Sequence, residues 1–537
     1  MLAQLRLHRD APTRSPAGTQ GGFRHLPVEL FEAFNQRHAL DAASVQFVEV
    51  DEVGFDVLKL LREEDLTVDE LTRRLPQHSP AAIQDAWDDL REAQDGGFLV
   101  PQAFRRVPQH ENDQYQPMLS SRMAGLTISI TTQCNLACSY CIFGGQYGQH
   151  PELSRVTMSW ETLQNAMDFL YANSHQSEKI RVDYFGGEPL IAFHLIERGV
   201  RYLKERLSTT GRHLDVTITT NGTILTERIL DFLIEHEVYV QVSIDGNKEI
   251  HDRNRLLKSN DRGSFDIVMG NLQRIHDRSP AYFRKHVRVK GVITSETVEI
   301  DAEEFFRHPL MALLVEDGHL SLLNEEPNYE LASDGDFFAR LHRLGERLLQ
   351  ASGKRTVAEL LEPLNVQQKQ LFWLTFAEFF DVQVVNKVHN GRKSALPFRK
   401  GCLMGFEEGN VNPKGEISVC HKAQSFVIGN VNEGTWYFDR IKDLNARLHD
   451  SPSCGSCFVQ RFCSQCHEKL NGSNLAESKR SFCEFTRHYF RTIFNTMLRV
   501  LERNPELWNE LDRMLEKAVA PATSTGLENQ SASAAAC

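Results

Sequence analysis

Between residues 126 and 325, strand-like and helix-like runs alternate six times, and this alternation limits the possible folds more than any other feature. The strand-like runs are LTISITT, IRVDYFGG, LDVTITTNG, VYVQVSIDG, VRVKGVIT and HLSLLNE. Amphipathic stretches such as SWETLQNAMDFLYANS, LIAFHLIERGVRYLKERL and LTERILDFLIEHE lie between them. Six β/α units in series predict an α/β fold on a parallel sheet, open or closed into a barrel. The site should then lie at the carboxyl ends of the strands. Gly, Asn, Asp and Cys residues gather at those ends.

The rest of the chain reads as separate units, as expected for 537 residues at roughly 150 residues per domain. Residues 1–22 read as a loose tail without an apolar run of signal-peptide length. Residues 23–101 read as a small α+β unit. Two short strands in RHALDAASVQFVEVD are followed by helices in EVGFDVLKLLREE, TVDELTRRL and SPAAIQDAWDDLREA, with GGFLVP as a closing strand. Thr67 and Ser79 occupy N-cap positions. This is a winged-helix-like pattern. Residues 102–125 read as a polar linker, 326–400 as a helical bridge, 401–490 as a cysteine-rich segment that needs metal to fold, and 491–518 as helical. Residues 519–537 read as a low-complexity, disordered tail. The formal net charge is −12, and the third N-terminal helix carries Asp85, Asp88, Asp89 and Glu92. Both argue against nucleic acid as a partner. No window is apolar enough to suggest a membrane span, and the expected location is cytoplasmic.

Eleven cysteines are unusual for a cytosolic chain unless they bind metal or do chemistry. Three stand as Cys134-x3-Cys138-x2-Cys141 directly after the first strand. Three thiolates on one loop can hold three irons of a four-iron cluster and leave the fourth iron open. Zinc or plain burial is the alternative, but zinc takes four ligands, and no fourth Cys or His lies close in sequence. Seven more cysteines follow: Cys402, Cys420, Cys454, Cys457, Cys463, Cys466 and Cys483. They could serve two metal centres, with a zinc ribbon as the plainer reading of the CxxC pairs. Cys537 ends the chain and reads as an exposed thiol.

The first cysteine motif resembles the signature of radical S-adenosylmethionine (SAM) enzymes. Cys134, Cys138 and Cys141 would be the catalytic cluster ligands, and Tyr140 matches the aromatic position near the SAM adenine. Gly186, Gly187, Glu188 and Pro189 match the family's GGEP element, which receives the SAM amino group. Thr220 and Asn221 in TTNG, Ser243 and Asp245 in SIDG, and Arg255 beyond them match polar positions that reach SAM. His251 and Asp252 lie in the same stretch. The resemblance covers residues 120–325 and implies a partial (β/α)6 TIM-like barrel. It also implies SAM and a [4Fe-4S] cluster as cofactors, with a 5′-deoxyadenosyl radical as the reactive species.

The second cysteine group resembles the SPASM extension of this family, which carries two auxiliary [4Fe-4S] clusters. That resemblance assigns Cys454, Cys457, Cys463 and Cys483 to a distal cluster and Cys402, Cys420 and Cys466 to a nearer one. The gap between Cys463 and Cys466 and the gap before Cys483 are each one residue shorter than the family's, and KSALPFRKG before Cys402 holds no further cysteine. The nearer cluster is therefore expected to have three cysteine ligands and an open iron.

Residues 38–101 resemble the precursor-recognition domain of peptide-modifying enzymes, which takes up a leader peptide as an added strand; a structural cap is the alternative. The implied function is maturation of a ribosomally made precursor peptide, or of a small subunit of the quinohemoprotein amine dehydrogenase type. The product would be a Cys thioether or a C–C or C–O cross-link, and flavodoxin or ferredoxin would be the reductant. Anaerobic sulfatase maturation is a second reading, weakened because His421 stands where that group has an Asp base. A zinc-scaffold adaptor is the reading from a different class.

Overall fold

The computed structural model describes residues 3–4, 26, 28–42, 46–95, 99, 109–141, 156–293, 300, 303–324, 335–376, 379, 404–406, 409–449, 457–459, 463, 467, 475–510 and 513. The proposed closing strand in GGFLVP apart from Leu99, the C-terminal tail and Cys402, Cys454, Cys466 and Cys537 lie outside them.

The N-terminal unit begins with β1 (Ala3–Gln4), β2 (Val28–Glu32), β3 (Arg37–Asp41) and β4 (Gln46–Val50). The last three form an antiparallel sheet, and β1 adds to β4 in parallel, with Ala3 opposite Val48. Ala3 and Gln4 therefore sit on a sheet edge where a loose tail was expected. Three helices follow, α1 (Glu52–Leu61), α2 (Val68–Arg74) and α3 (Pro80–Asp95). Thr67 caps α2 in a full capping box with Glu70, and Ser79 Oγ accepts the Ala82 N–H at 3.2 Å, as the sequence predicts. The period of two along the strands buries both faces of the sheet. Val28, Ala39 and Val48 pack under the unit's own helices. Phe31, Leu40 and Phe47 pack on the other side against helices from the C-terminal half.

Part of the expected linker is helical. Helix α4 (Gln109–Ser121) leads into β5 (Gly125–Thr131), and Leu119 and Met123 are fully buried. After β6 (Leu136–Cys138) come α5 (Trp160–Asn173), β7 (Lys179–Gly186), α6 (Phe193–Leu207), β8 (His213–Thr220), α7 (Glu227–Glu235), β9 (Tyr239–Ser243), α8 (Lys248–Asn254), β10 (Arg255–Leu257), α9 (Phe265–Arg278), α10 (Pro280–His286), β11 (Val287–Ile293), α11 (Glu303–Arg307), α12 (Pro309–Glu316) and β12 (Leu320–Asn324). Strands β5, β7, β8, β9, β11 and β12 run parallel in that spatial order, each next to its predecessor. This is the predicted mixed α/β arrangement with its six parallel strands. Along β7, Ile180, Val182 and Tyr184 are buried in the main core, so Arg181, Asp183 and Phe185 point to the opposite face.

The helical bridge supplies α13 (Gly335–Gln350), α14 (Val357–Leu361) and α15 (Val366–Leu374). These build a second core with the N-terminal sheet rather than a simple connection. Then β13 (Gly409–Val411), β14 (Glu416–Ser418), β15 (Val427–Asn430) and β16 (Thr435–Trp436) extend the parallel sheet past β5, with β13 parallel to β5 and the rest antiparallel. Helix α16 (Phe438–His449) precedes α17 (Leu475–Arg503). The 29-residue α17 crosses the boundary expected at residue 490 and carries Cys483. No helix among the described residues is long and apolar enough to cross a membrane.

Candidate cluster and cofactor site

The loop leaving β5 carries Cys134, and Cys138 ends β6, which pairs antiparallel with β10 so that Cys138 faces Arg255. Burial raises the Cys134 thiol and pushes Cys138 up to about 12, with the Arg255 charge pulling back. Burying bare thiolates here would be costly; a metal centre removes that cost by replacing the protons. Cys134 Sγ already has two donors, the Leu136 N–H at 3.4 Å and Asn221 Nδ2 at 3.9 Å. Among the described residues no His, Cys, Asp and Glu side chains converge on a point that one metal ion could occupy.

The glycines at the end of β7 serve a close backbone approach to this loop. A Cβ on Gly186, which has φ +124°, would lie 2.3 Å from the Thr131 carbonyl oxygen, and one on Gly187 would lie 2.2 Å from that of Gln133. The space goes to two backbone bonds, Gly187 N–H to Thr131 O at 2.8 Å and Glu188 N–H to Gln133 O at 2.7 Å. Pro189 opens a short 3-10 turn and is buried.

Several residues expected to contact SAM bind each other or neighbouring strand ends. Glu188 is fully buried. Its Oε1 accepts from the Leu190 N–H at 3.0 Å and Thr220 Oγ1 at 2.8 Å, and its Oε2 accepts from the Asn221 N–H at 2.8 Å. Burial pushes its carboxyl up to about 7 against the pull of these bonds. The side chain staples the end of β7 to the end of β8. Asn221 then reaches Asn135 Oδ1 at 2.8 Å, while its own Oδ1 accepts from Thr223. Asp245, also buried, accepts four bonds: Tyr140 OH at 2.5 Å, Arg255 Nε at 3.0 Å, an Arg255 terminal nitrogen at 3.1 Å and the Val292 N–H at 2.9 Å. The Arg255 guanidinium also lies over the Tyr140 ring, 5.4 Å from its centre. These carboxylates thus position the cysteine loop, and their oxygens are occupied by protein donors. Ser243 differs: it ends β9, is half-buried, and its hydroxyl has no protein partner among the described residues. His251 is buried with Nε2 on Ser264 Oγ at 2.9 Å, and burial holds its pKa down to about 4.

The C-terminal cysteine segment reaches the same strand ends. Ser129 Oγ on β5 donates to Asn410 Oδ1 at 2.7 Å, Asn410 Nδ2 reaches Ser418 Oγ at 3.4 Å, and Ser418 Oγ reaches the Cys420 carbonyl at 3.1 Å. The His421 ring lies 4.6 Å from that of Phe185, next to Gly186. Cys420 packs on the core of the parallel sheet, while Cys457 and Cys463 pack on the helical core. Tyr184 belongs to the core, and Asp183, on the other face of β7, binds Arg181 at 2.6 Å.

Asn135, Thr223 and Asn410 escaped the sequence reading. The first two immediately adjoin recognised motif residues, which was the available signal; Asn410 offered none, because its partner Ser129 is far away in sequence.

Residues 128–293 match the family model described as the radical SAM superfamily. An uncharacterized protein of Methanocaldococcus jannaschii is 32% identical over 148 residues, 28% of this chain and 47% of that protein. The serine-type anaerobic sulfatase-maturating enzyme of Bacteroides thetaiotaomicron is 33% identical over 144 residues, 27% of this chain and 34% of that enzyme. The chain thus spans less than half the length of these curated relatives. The mycofactocin maturase of Mycolicibacterium smegmatis is 26% identical over 351 residues, 62% of this chain and 74% of that protein. Among solved structures, native anSMEcpe with bound AdoMet aligns with a TM-score of 0.47 at 18% identity, over 69% of this chain and 98% of that one. A radical SAM domain implies SAM and one [4Fe-4S] cluster.

Proposed function

We propose, on the premise that residues 128–293 belong to the radical SAM superfamily, that the protein is a peptide maturase that installs cross-links, foremost Cys thioethers, in a precursor peptide or small protein subunit. The observation that carries this reading is that the Cys134 loop and the Cys420 segment reach one set of strand ends, through the Asn221–Cys134 and Phe185–His421 contacts. The donor set fits the cluster: three thiols on one loop, Cys138 at the end of β6, with the Leu136 N–H and Asn221 Nδ2 as donors to Cys134. When bound, the cluster and SAM supply a radical that takes hydrogen from a C–H bond.

The chain's own residues do the positioning. Glu188, Asn221, Asp245 and Arg255 fix the loop, and Ser243, with no hydroxyl partner among the described residues, would bind SAM. Cys402, Cys420 and Cys466 would hold a nearer auxiliary cluster and Cys454, Cys457, Cys463 and Cys483 a distal one, giving three [4Fe-4S] clusters in total. Those would accept the electron left over when a thioether forms, while the thiol proton leaves to solvent or a base. His421 would be that base. The outer edge of β4 is the docking edge for a leader strand, and Ala3 and Gln4 already pair along it. Relatives named as sulfatase maturases favour formylglycine formation as a second reading.

The test begins with iron and acid-labile sulfide per chain after anaerobic reconstitution. Near twelve of each, at about four per cluster, is expected; about four irons with zinc would remove the auxiliary clusters from the proposal. Incubation with SAM, reductant and Cys-containing peptides follows. Loss of two hydrogens with protection of the thiol from alkylation marks a thioether; an aldehyde-reactive product marks formylglycine.

A further inference from the structure

We propose that the chain's own N-terminal segment closes the β4 edge, so that an incoming peptide strand must first displace it. This rests on the reading of that edge as the docking edge for a leader strand. The N-terminal sheet runs in the order β1, β4, β3, β2. Its β2 side is fixed to α17: Arg491 Nε donates to Glu29 Oε1 at 2.5 Å, and the N–H groups of Phe34 and Asn35, at the β2–β3 turn, donate to the Glu502 carboxylate at 2.7 and 2.8 Å. The β4 side is where a further strand can add, because a strand edge presents a row of N–H and C=O groups to any extended segment. That row is already taken in part. Ala3 pairs with Val48 and Gln4 with Glu49, in the middle of a strand that runs only from Gln46 to Val50. Gln46 and Phe47 remain before the contact and Val50 after it. A second strand of ordinary length, roughly 5–6 residues, has no room beside it, so the chain's own segment and an incoming peptide exclude each other.

The length of chain between β1 and β2 suits this contact. Strands β1, β2 and β4 share one direction, since β1 is parallel to β4 while β2 and β4 are both antiparallel to β3. Gln4 stands level with Glu49, His38 and Phe31, three strands across from β2 and three residues further along than Val28. At about 4.8 Å between strands and 3.3 Å per residue, the return to Val28 is roughly 17 Å. The 23 residues between Gln4 and Val28 could cover about 75 Å when extended. A segment tethered in this way competes at an effective concentration on the order of a millimolar.

Charge favours the same occupant. Glu49 stands opposite Gln4, and Asp51 and Glu52 follow it in the chain. The first fourteen residues carry Arg6, His8, Arg9 and Arg14 against a single acid, Asp10. In a parallel pair both chains continue in the same direction, so the basic residues come after Gln4 as the acidic ones come after Glu49. The edge therefore opens only to a peptide that binds it better than the chain's own segment does, and weakly pairing strands are turned away before they reach the cysteine loop.

The experiment compares the parent with the full chain carrying Ala3→Pro and Gln4→Pro, which removes both backbone donors from the contact. Hydrogen exchange of the amides in residues 46–50 should be faster in the variant. A fluorescent peptide of this chain's residues 1–14, MLAQLRLHRDAPTR, is then added to each. It should bind the variant about tenfold more tightly than the parent, the difference expected when the edge is free in about one parent molecule in ten. It should also return exchange in residues 46–50 to the parent's rate. Equal exchange in the two chains, or equal affinity, overturns the inference. Exchange at 46–50 that slows in the parent as its concentration rises assigns the edge to the segment of a second copy and overturns it as well. The docking edge is judged separately, with a Cys-containing peptide that gains a thioether in the assay above. If that peptide leaves residues 46–50 unprotected in the variant, the docking edge fails whatever holds for the self-contact. If it protects them with equal affinity in both chains, the docking edge stands and the inference falls.

Discussion

Replacing Asp245 by Asn tests whether the buried carboxylate holds the cysteine loop in place. Asp245 accepts two bonds from Arg255, one from Tyr140 and one from the Val292 amide. Asparagine has a single acceptor oxygen, so its amide nitrogen must face donors on one side. Arg255, 7% exposed, would keep its charge without a countercharge. Breaking a buried pair from one side costs about 3–5 kcal/mol. The cost falls first on β10, whose Arg255 pairs with Cys138, and on the Ser139 N–H to Asn254 O bond at 3.1 Å. At about 1.4 kcal/mol per factor of ten, amides of residues 136–139 and 255–257 should exchange roughly a hundredfold faster or more. The assay is amide hydrogen exchange of the apo-protein read by mass spectrometry, alongside iron content after reconstitution. Unchanged exchange in both segments would refute the reasoning. Equal acceleration throughout β7 and β8 would also refute it, because the carboxylate would then act on the whole sheet and not on the ribbon.

Three further outcomes follow from the same geometry. Glu188 has a folded pKa of about 7 against the ordinary 4.5, so the folded state binds more protons between those values; its contribution is most favourable below pH 4.5 and falls by about 3 kcal/mol as pH rises to 7, and Glu188→Gln should remove that slope from the unfolding midpoint measured at pH 5 and pH 8. Gly187→Ala puts a Cβ 2.2 Å from the Gln133 carbonyl and should displace the cysteine loop at a cost of about 1–3 kcal/mol, read as a lower iron content after reconstitution. Asn410→Leu leaves Ser129 and Ser418 without their shared partner, at about 1–3 kcal/mol, and should lower thermal stability while loosening the segment around Cys420, read by exchange of residues 416–420.

Local pattern determined much of this protein. The six parallel strands, the capped N-terminal helices and the position of Cys134, Cys138 and Cys141 after the first of those strands were legible because periodicity, capping and ligand spacing are properties of short segments. The motif glycines were legible too, though what they approach is the cysteine loop. Tertiary structure decided the rest. Glu188, Asp245 and Arg255 stand out in sequence as motif positions, and only the packing shows the bonds they make, Glu188 to Thr220 and Asn221 and Asp245 to Arg255, Tyr140 and Val292. The helix in residues 109–121, with its weak amphipathic pattern, gave little signal, and α17 runs through a boundary that cysteine content alone suggested. The joining of the N-terminal sheet to the helix of Cys483 was beyond any local reading. The pairs that make it, Glu29 with Arg491 and Phe34 with Glu502, lie more than 450 residues apart, and no periodicity connects residues that meet only when two cores close on each other.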